Sequence, residues 1–279
     1  MRTSRLRWGL LPCLALSGQA LAAGCSEPQL PPEALPGALV RGCAPADATV
    51  SVDGRALRIA ADGSFVFGVG RDAGNAVAVL VEWRGDSQRH DVAIAAREFR
   101  IERVDGLPQQ TVTPDPEIAA RIAREQARVA EARRRDDART DWRDSFLKPV
   151  QGRTSGVYGS QRILNGVPRN PHMGLDIAAP AGTPVLAPAA GVVTFADPDL
   201  YLTGGTVLLD HGHGLSSSFL HLSAVEVAVG DRIERGQRIG AVGATGRASG
   251  PHLHWGLNWF DVRIDPALVL ESGATASAR

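Results

Sequence analysis

Net charge is missing from this sequence: 30 Lys and Arg stand against 30 Asp and Glu. A balanced chain gives no support for non-specific binding to nucleic acid or to an anionic membrane surface. Neither is expected as a partner. Aromatic residues are also scarce, at 5%, while Gly and Pro number 31 and 18. That composition favours many turns and short strands over long helices. Beyond the first 23 residues no apolar run approaches the roughly 20 residues of a membrane-spanning helix, so no transmembrane segment is expected. Cysteine is limited to Cys13, Cys25 and Cys43.

What is present begins with a leader. Residues 1–23 carry a basic head at Arg2, Arg5 and Arg7 and an apolar stretch from Trp8 to Leu16. Ala20-Leu21-Ala22 then makes a small-x-small cleavage pattern. This reads as a signal peptide and predicts a periplasmic or secreted protein. Cys13 would leave with the leader. Cys25 and Cys43 remain as a pair, and in an exported protein a disulfide between them is expected. The competing reading makes Cys25 a lipid anchor. The stretch Ala22-Ala23-Gly24-Cys25 resembles a lipoprotein site loosely, without Leu three residues before the cysteine.

A length of 279 residues suits one large or two modest domains. From Thr49 short apolar alternations are separated by Asp53-Gly54 and Asp62-Gly63, which are hairpin signals. Strand-like runs at 49–52, 57–59, 65–67, 76–83 and 91–94 predict a small β-sandwich over 24–112. His90 stands alone among polar neighbours and reads as a solvated loop residue. Thr113-Pro114-Asp115-Pro116 opens a helix expected to run from Glu117 to about Thr140. Eight arginines lie between 121 and 143, but interleaved Asp and Glu favour a solvated linker helix over an anion-binding one. The linker is placed at 113–145, with Trp142 and Phe146 docking it on the second domain. From 146 strands return, at 184–188, 191–195, 205–210, 216–222, 225–229, 238–242 and 252–257. With such tight connections the sheet should be mostly antiparallel. The fold is therefore read as mainly β: an antiparallel domain over 146–272, preceded by the β-sandwich and the linker helix. A disordered tail is expected at 273–279.

Six of the seven histidines fall between 172 and 254. His252 and His254 lie two apart in a strand and so share one face. Two imidazoles that close repel when both are charged, and a metal or a shared proton relieves this. His172 and Asp176 lie four apart around Gly174. A catalytic zinc takes three protein ligands and keeps one position for water. His172, Asp176 and one histidine of the last pair would supply them. Glutamate, the usual base of many zinc peptidases, is absent beside these motifs, so the spare histidines must carry protons. His221, polar within the apolar run Phe219–Leu222, is a candidate for that task.

These residues resemble the lysostaphin/LytM-type zinc metallopeptidases, endopeptidases of peptidoglycan. The resemblance covers residues 158–266. It is carried by Gly156-Val157-Tyr158-Gly159-Ser160-Gln161-Arg162, His172-x-Gly-x-Asp176, Ala187-Pro188-Ala189-Ala190-Gly191-Val192-Val193 and Leu220-His221-Leu222-Ser223. It continues through Gly230-Asp231-x-Ile233-x-x-Gly236-Gln237, Gly243-Ala244-Thr245-Gly246 and Ser249-Gly250-Pro251-His252-Leu253-His254. It implies one zinc ion per chain on His172, Asp176 and His254, with His221 and His252 as proton carriers, and peptidoglycan peptides as substrate. The pair at His211 and His213 falls on a turn and is structural in this reading. Walls of a narrow cleft are expected at 163–171, 197–205 and 244–250. The aromatic usual in the first wall is not evident; Arg162, Asn165 and Arg169 occupy that region. Residues 24–112 resemble the small immunoglobulin-like modules that precede such peptidases. Some relatives of this type have lost their metal ligands and activate other wall hydrolases; that is the alternative function, and all five key residues are intact here.

Overall fold

The computed structural model describes residues 24–104, 115–164 and 166–270. The expected leader and the expected tail lie outside them. The strands before the helix are β1 (Glu33–Ala34), β2 (Leu39–Cys43), β3 (Thr49–Val52), β4 (Arg55–Leu57), β5 (Ser64–Gly68), β6 (Ala76–Trp83), β7 (Asp86–Ile94) and β8 (Ile101–Val104). Helix α1 (Pro116–Ala132) comes next. After it come β9 (Arg153–Gly156), β10 (Gln161–Leu164), β11 (Val167–Pro168), β12 (Leu175–Ala178), β13 (Pro184–Leu186) and β14 (Gly191–Leu200). The last are β15 (Gly204–Gly212), β16 (Leu215–Val225), β17 (Arg232–Ile233), β18 (Arg238–Val242), β19 (His252–Trp259) and β20 (Val262–Ile264).

The fold is mainly β and mostly antiparallel, as composition and turn spacing predict. The N-terminal strands form one sheet in the order β1-β7-β6-β3-β4, while β2 pairs with β5. Cys25 and Cys43 are joined by a disulfide with Cα atoms 6.0 Å apart. The large C-terminal sheet runs β17-β14-β15-β16-β19-β12-β9. Parallel pairing occurs where β1 meets β7 and where β8 meets β10. The second of these takes a strand from before the helix into a sheet that flanks the first expected cleft wall.

One apolar core runs through all of this. Phe65 and Phe67 of β5 join Trp142, Phe146, Trp255 and Leu257 in a single cluster of buried side chains. The N-terminal β-module thus shares the interior of the larger sheet. Trp142 and Phe146 are anchors, as expected, at 2% and 0% exposure.

Several expectations need correction. The helix ends at Ala132, not near Thr140. Beyond it the chain must fold back, because Arg139 donates to the Asp210 carbonyl at 3.0 Å and binds the Asp210 carboxylate, while Trp142 enters the core. The helix is also docked: Arg128 pairs with Asp197 at 2.9 Å, and Val129 and Ala132 pack on Phe195, Leu200 and Leu208. His90 lies on β7, not in a loop. His211 lies within β15, not in a turn. It is fully buried, its Nδ1 donating to the Ala190 carbonyl at 2.7 Å and its Nε2 meeting the Ser217 hydroxyl at 2.8 Å. The strand expected over 225–229 stops at Val225, where β16 ends.

Candidate metal centre

Cross-strand register brings the motif residues together. Asp176 of β12 stands opposite His254 of β19, and side chains directly opposite share a face. His252 lies two residues earlier on β19, hence on the same face. His172 arrives on the segment before β12. Its Nε2 lies 3.0 Å from Asp176 Oδ1 and 3.0 Å from His254 Nδ1, and His254 Nδ1 lies 2.8 Å from the same Asp176 oxygen. Two glycines make this approach possible. A Cβ on Gly174 would sit 2.6 Å from His254 Nε2, and one on Gly156 would overlap the Asp176 carboxylate.

Backbone carbonyls fix the tautomers. A carbonyl oxygen only accepts, so a ring nitrogen facing one must carry the proton. Nδ1 of His172 faces Val157 O at 3.1 Å, Nδ1 of His221 faces Thr245 O at 2.9 Å, and Nδ1 of His252 faces Gly250 O at 2.8 Å. In each neutral ring the Nε2 lone pair is then free. Three donors with lone pairs, His172 Nε2, Asp176 Oδ1 and His254 Nδ1, converge within 3.0 Å of one another. Ligands about 2.0 Å from a tetrahedral zinc are separated by roughly 3.3 Å. This is the one group of three or more such residues among those described whose ligand atoms can meet at a single ion. The donor set therefore fits a divalent metal.

Electrostatics agree with that use at Asp176, His254 and His221. Burial alone would raise Asp176, but the two imidazoles set against its carboxylate, His172 and His254, hold its carboxyl well below the usual range, so it stays ionised. Burial opposes charge on His172, yet the neighbouring Asp176 outweighs it and raises its pKa. Burial lowers His254 and His221, favouring neutral rings. The His221 and His252 rings lie with centroids 4.8 Å apart at a 45° tilt, and the His221 ring centroid lies 6.4 Å from that of His254. His252 Nε2 is 4.0 Å from Asp176 Oδ1.

The five expected residues are thus together, but His221 does not arrive by simple alternation. On β16, Leu220 and His221 face the single Thr206 of β15, because Phe219 pairs with Val207 and Leu222 with Gly205. This bulge leaves His221 at φ +65, a strained value for a non-glycine residue, and bulges re-aim side chains. His211 and His213 lie elsewhere, His213 with its ring 5.2 Å from Trp142.

The second and third expected walls meet at His221, through Thr203 O and Thr245 O. The second and third are tied: Arg247 N donates to Leu202 O at 2.9 Å, and Gly205 N to Thr245 Oγ1 at 3.0 Å. Thr203 O accepts from His221 N at 2.8 Å. Tyr201 projects from the second wall, 41% exposed; it is not among the site residues expected from sequence. In the first wall Arg169 is exposed, and Asn165 lies outside the described residues.

A mainly antiparallel β domain with a His-Asp-His donor set on one sheet face is the architecture of a β-sheet metallopeptidase. The family described as peptidase family M23 matches residues 170–266. A crystal structure of a putative M23 peptidase from Pseudomonas aeruginosa is 31% identical, with a TM-score of 0.63, covering 85% of this chain and 94% of that one. The chain belongs to peptidase family M23. Among curated relatives, the peptidoglycan DD-endopeptidase ShyA of Vibrio cholerae is 46% identical over 87 residues, 31% of this chain and 20% of that protein. The DD-carboxypeptidase/endopeptidase Mpg of Neisseria meningitidis is 46% identical over 98 residues, 35% of this chain and 22% of that protein. The chain thus spans about a fifth of the length of these relatives.

Proposed function

We propose that the protein is a zinc-dependent endopeptidase that hydrolyses peptidoglycan peptides in the periplasm. The observation that supports this reading best is the convergence of His172, Asp176 and His254 beneath two histidines whose Nε2 lone pairs are free. Nitrogen and carboxylate donors in threes suit zinc. When bound, the ion would polarise the scissile carbonyl and acidify the attacking water. His172, Asp176 and His254 would hold it. His221 and His252 would do the proton work. One neutral Nε2 takes the proton of the attacking water, because its Nδ1–H is already committed to a backbone carbonyl. The ring, now charged, hydrogen-bonds from Nε2 to the developing oxyanion and then transfers that one proton to the leaving amine.

The names of the two curated relatives favour a bond between D-centres, such as D-Ala to diaminopimelate, as the one cut. The leader pattern favours export, with the β-module at 24–112, the linker at 113–145 and the peptidase unit at 146–272. The His221→Ala variant tests the chemistry. It should keep its zinc and lose about 10²- to 10⁴-fold in rate, read as masses of products from defined cross-linked muropeptides. Digestion of purified sacculi at the wild-type rate would remove His221 from the mechanism.

A further inference from the structure

We propose that the N-terminal β-module sets the affinity of the metal centre by bracing the turn that holds His172, with Arg71 and Phe99 as positioning residues. The inference rests on the reading of His172, Asp176 and His254 as metal ligands.

The turn is Val157-Tyr158-Gly159-Ser160. Ser160 Oγ donates to Val157 O at 2.9 Å, and Gly159 sits at φ +79 in the third position, where a type II turn requires a positive φ. His172 is tied to this turn in three places. Gly159 N donates to His172 O at 2.7 Å, His172 N donates to Ser160 O at 2.8 Å, and His172 Nδ1 donates to Val157 O at 3.1 Å. The turn therefore fixes the backbone, the ring direction and the tautomer of this one ligand. It also lies before residue 170, where the family match begins.

The other side of the turn belongs to the N-terminal module. Arg71 Nε donates to Gly159 O at 3.1 Å. Its guanidinium lies over Phe99 at 4.6 Å, which immobilises a long side chain on an aromatic face. Phe99 in turn fills the space beside Gly159, where a Cβ would overlap its ring. Directly after the turn, Gln161 N donates to Arg100 O at 2.9 Å, beginning the parallel pairing of β8 with β10. Each of these contacts between the module and the turn is made by backbone or by a packed side chain. The module is thus a brace behind the metal ligand. Partners that orient a ligand histidine typically change metal affinity by about 10- to 100-fold when removed.

The test uses the full-length chain and cobalt as the probe ion, with zinc competition for affinity. Arg71→Ala should weaken metal binding by about tenfold or more and shift the visible bands of bound cobalt, which report ligand geometry and which loss of fold stability alone does not move. Arg71→Lys should recover part of the affinity, because an ammonium can still donate to Gly159 O. Phe99→Leu, which keeps the packing apolar, should weaken binding in the same direction and carries the test if Arg71→Ala does not fold. Folded Arg71→Ala or Phe99→Leu protein with wild-type affinity and an unchanged cobalt spectrum would overturn the brace. His254→Ala separates the two readings. Loss of binding there with none in the brace variants sinks only the brace. Wild-type binding in His254→Ala sinks the metal assignment itself.

Discussion

Gly174→Ala places one methyl group where the metal centre has no room. The added Cβ would lie 2.6 Å from His254 Nε2, 2.7 Å from His254 Cε1 and 2.7 Å from Trp255 O. Ordinary contact begins at 3.4 Å, so the ring must retreat by about 0.8 Å or the loop must lift. Neither is easy. His254 sits on β19 between the fully buried Leu253 and Trp255, and its Nδ1 is held 2.8 Å from Asp176 Oδ1. Donor atoms must lie within about 0.2 Å of their ideal places for a metal to be held well. The displacement exceeds that tolerance several-fold. A loss of about 10- to 100-fold in affinity is expected, or roughly 1.4–2.7 kcal/mol.

An opposing effect has a known size. Gly174 is not in the left-handed region, and Gly→Ala at a compatible position stabilises by about 0.4–1 kcal/mol through the unfolded state. The two are separated by melting the protein with and without zinc. At saturating free metal the difference between loaded and metal-free stability reports affinity alone, so general packing effects cancel. The variant should lose about 1.4–2.7 kcal/mol of that difference. Gly250→Ala is the control: its Cβ would meet nothing within 4 Å, and its metal-dependent stabilisation should match wild type. If Gly174→Ala keeps the full wild-type difference, the close packing of Gly174 on His254 has no part in metal binding.

Acid should destabilise the fold through His211. Burial pushes its pKa down to about 4 from 6.5, so the folded state prefers the neutral ring; stability present above about pH 6.5 is lost as pH falls toward 4, by roughly 3 kcal/mol. Urea titrations between pH 7 and 4 should show this slope, and His211→Gln should flatten it; an unchanged slope would mean other groups dominate. The Cys25–Cys43 disulfide closes a loop of separation 18, and Cys43→Ser should lower unfolding free energy by about 3 kcal/mol. Denaturant midpoints of the oxidised parent and the variant measure this directly, and equal midpoints would contradict it.

Local signals carry far in this chain. Ala76–Trp83 and Arg238–Val242 are legible as strands to the residue because each is an apolar run between turn formers. His172, Asp176 and His254 are legible because a metal demands specific residue types at short spacing. What escapes is set by contacts distant in sequence. Helix α1 stops early because Arg139 must reach Asp210, 71 residues away. No propensity records that. His211 falls on a turn in the family resemblance, but β15 continues through it to Gly212, and Ser217 meets its buried ring. His221 illustrates the limit most clearly. Its role is readable from its type, yet its placement depends on a bulge against Thr206 and on the carbonyl of Thr245, 24 residues on. Carbonyls are anonymous in sequence, since every residue has one. The same holds for Val157 O and Gly250 O, which fix the tautomers of His172 and His252. A family pattern can therefore name the side chains that do chemistry, while the backbone atoms that decide their protonation must be found in the fold. The N-terminal module shows why this matters: its contact with the turn at Gly159 is made by a backbone carbonyl and a missing Cβ, and the proposed brace on His172 runs through atoms that no sequence pattern marks.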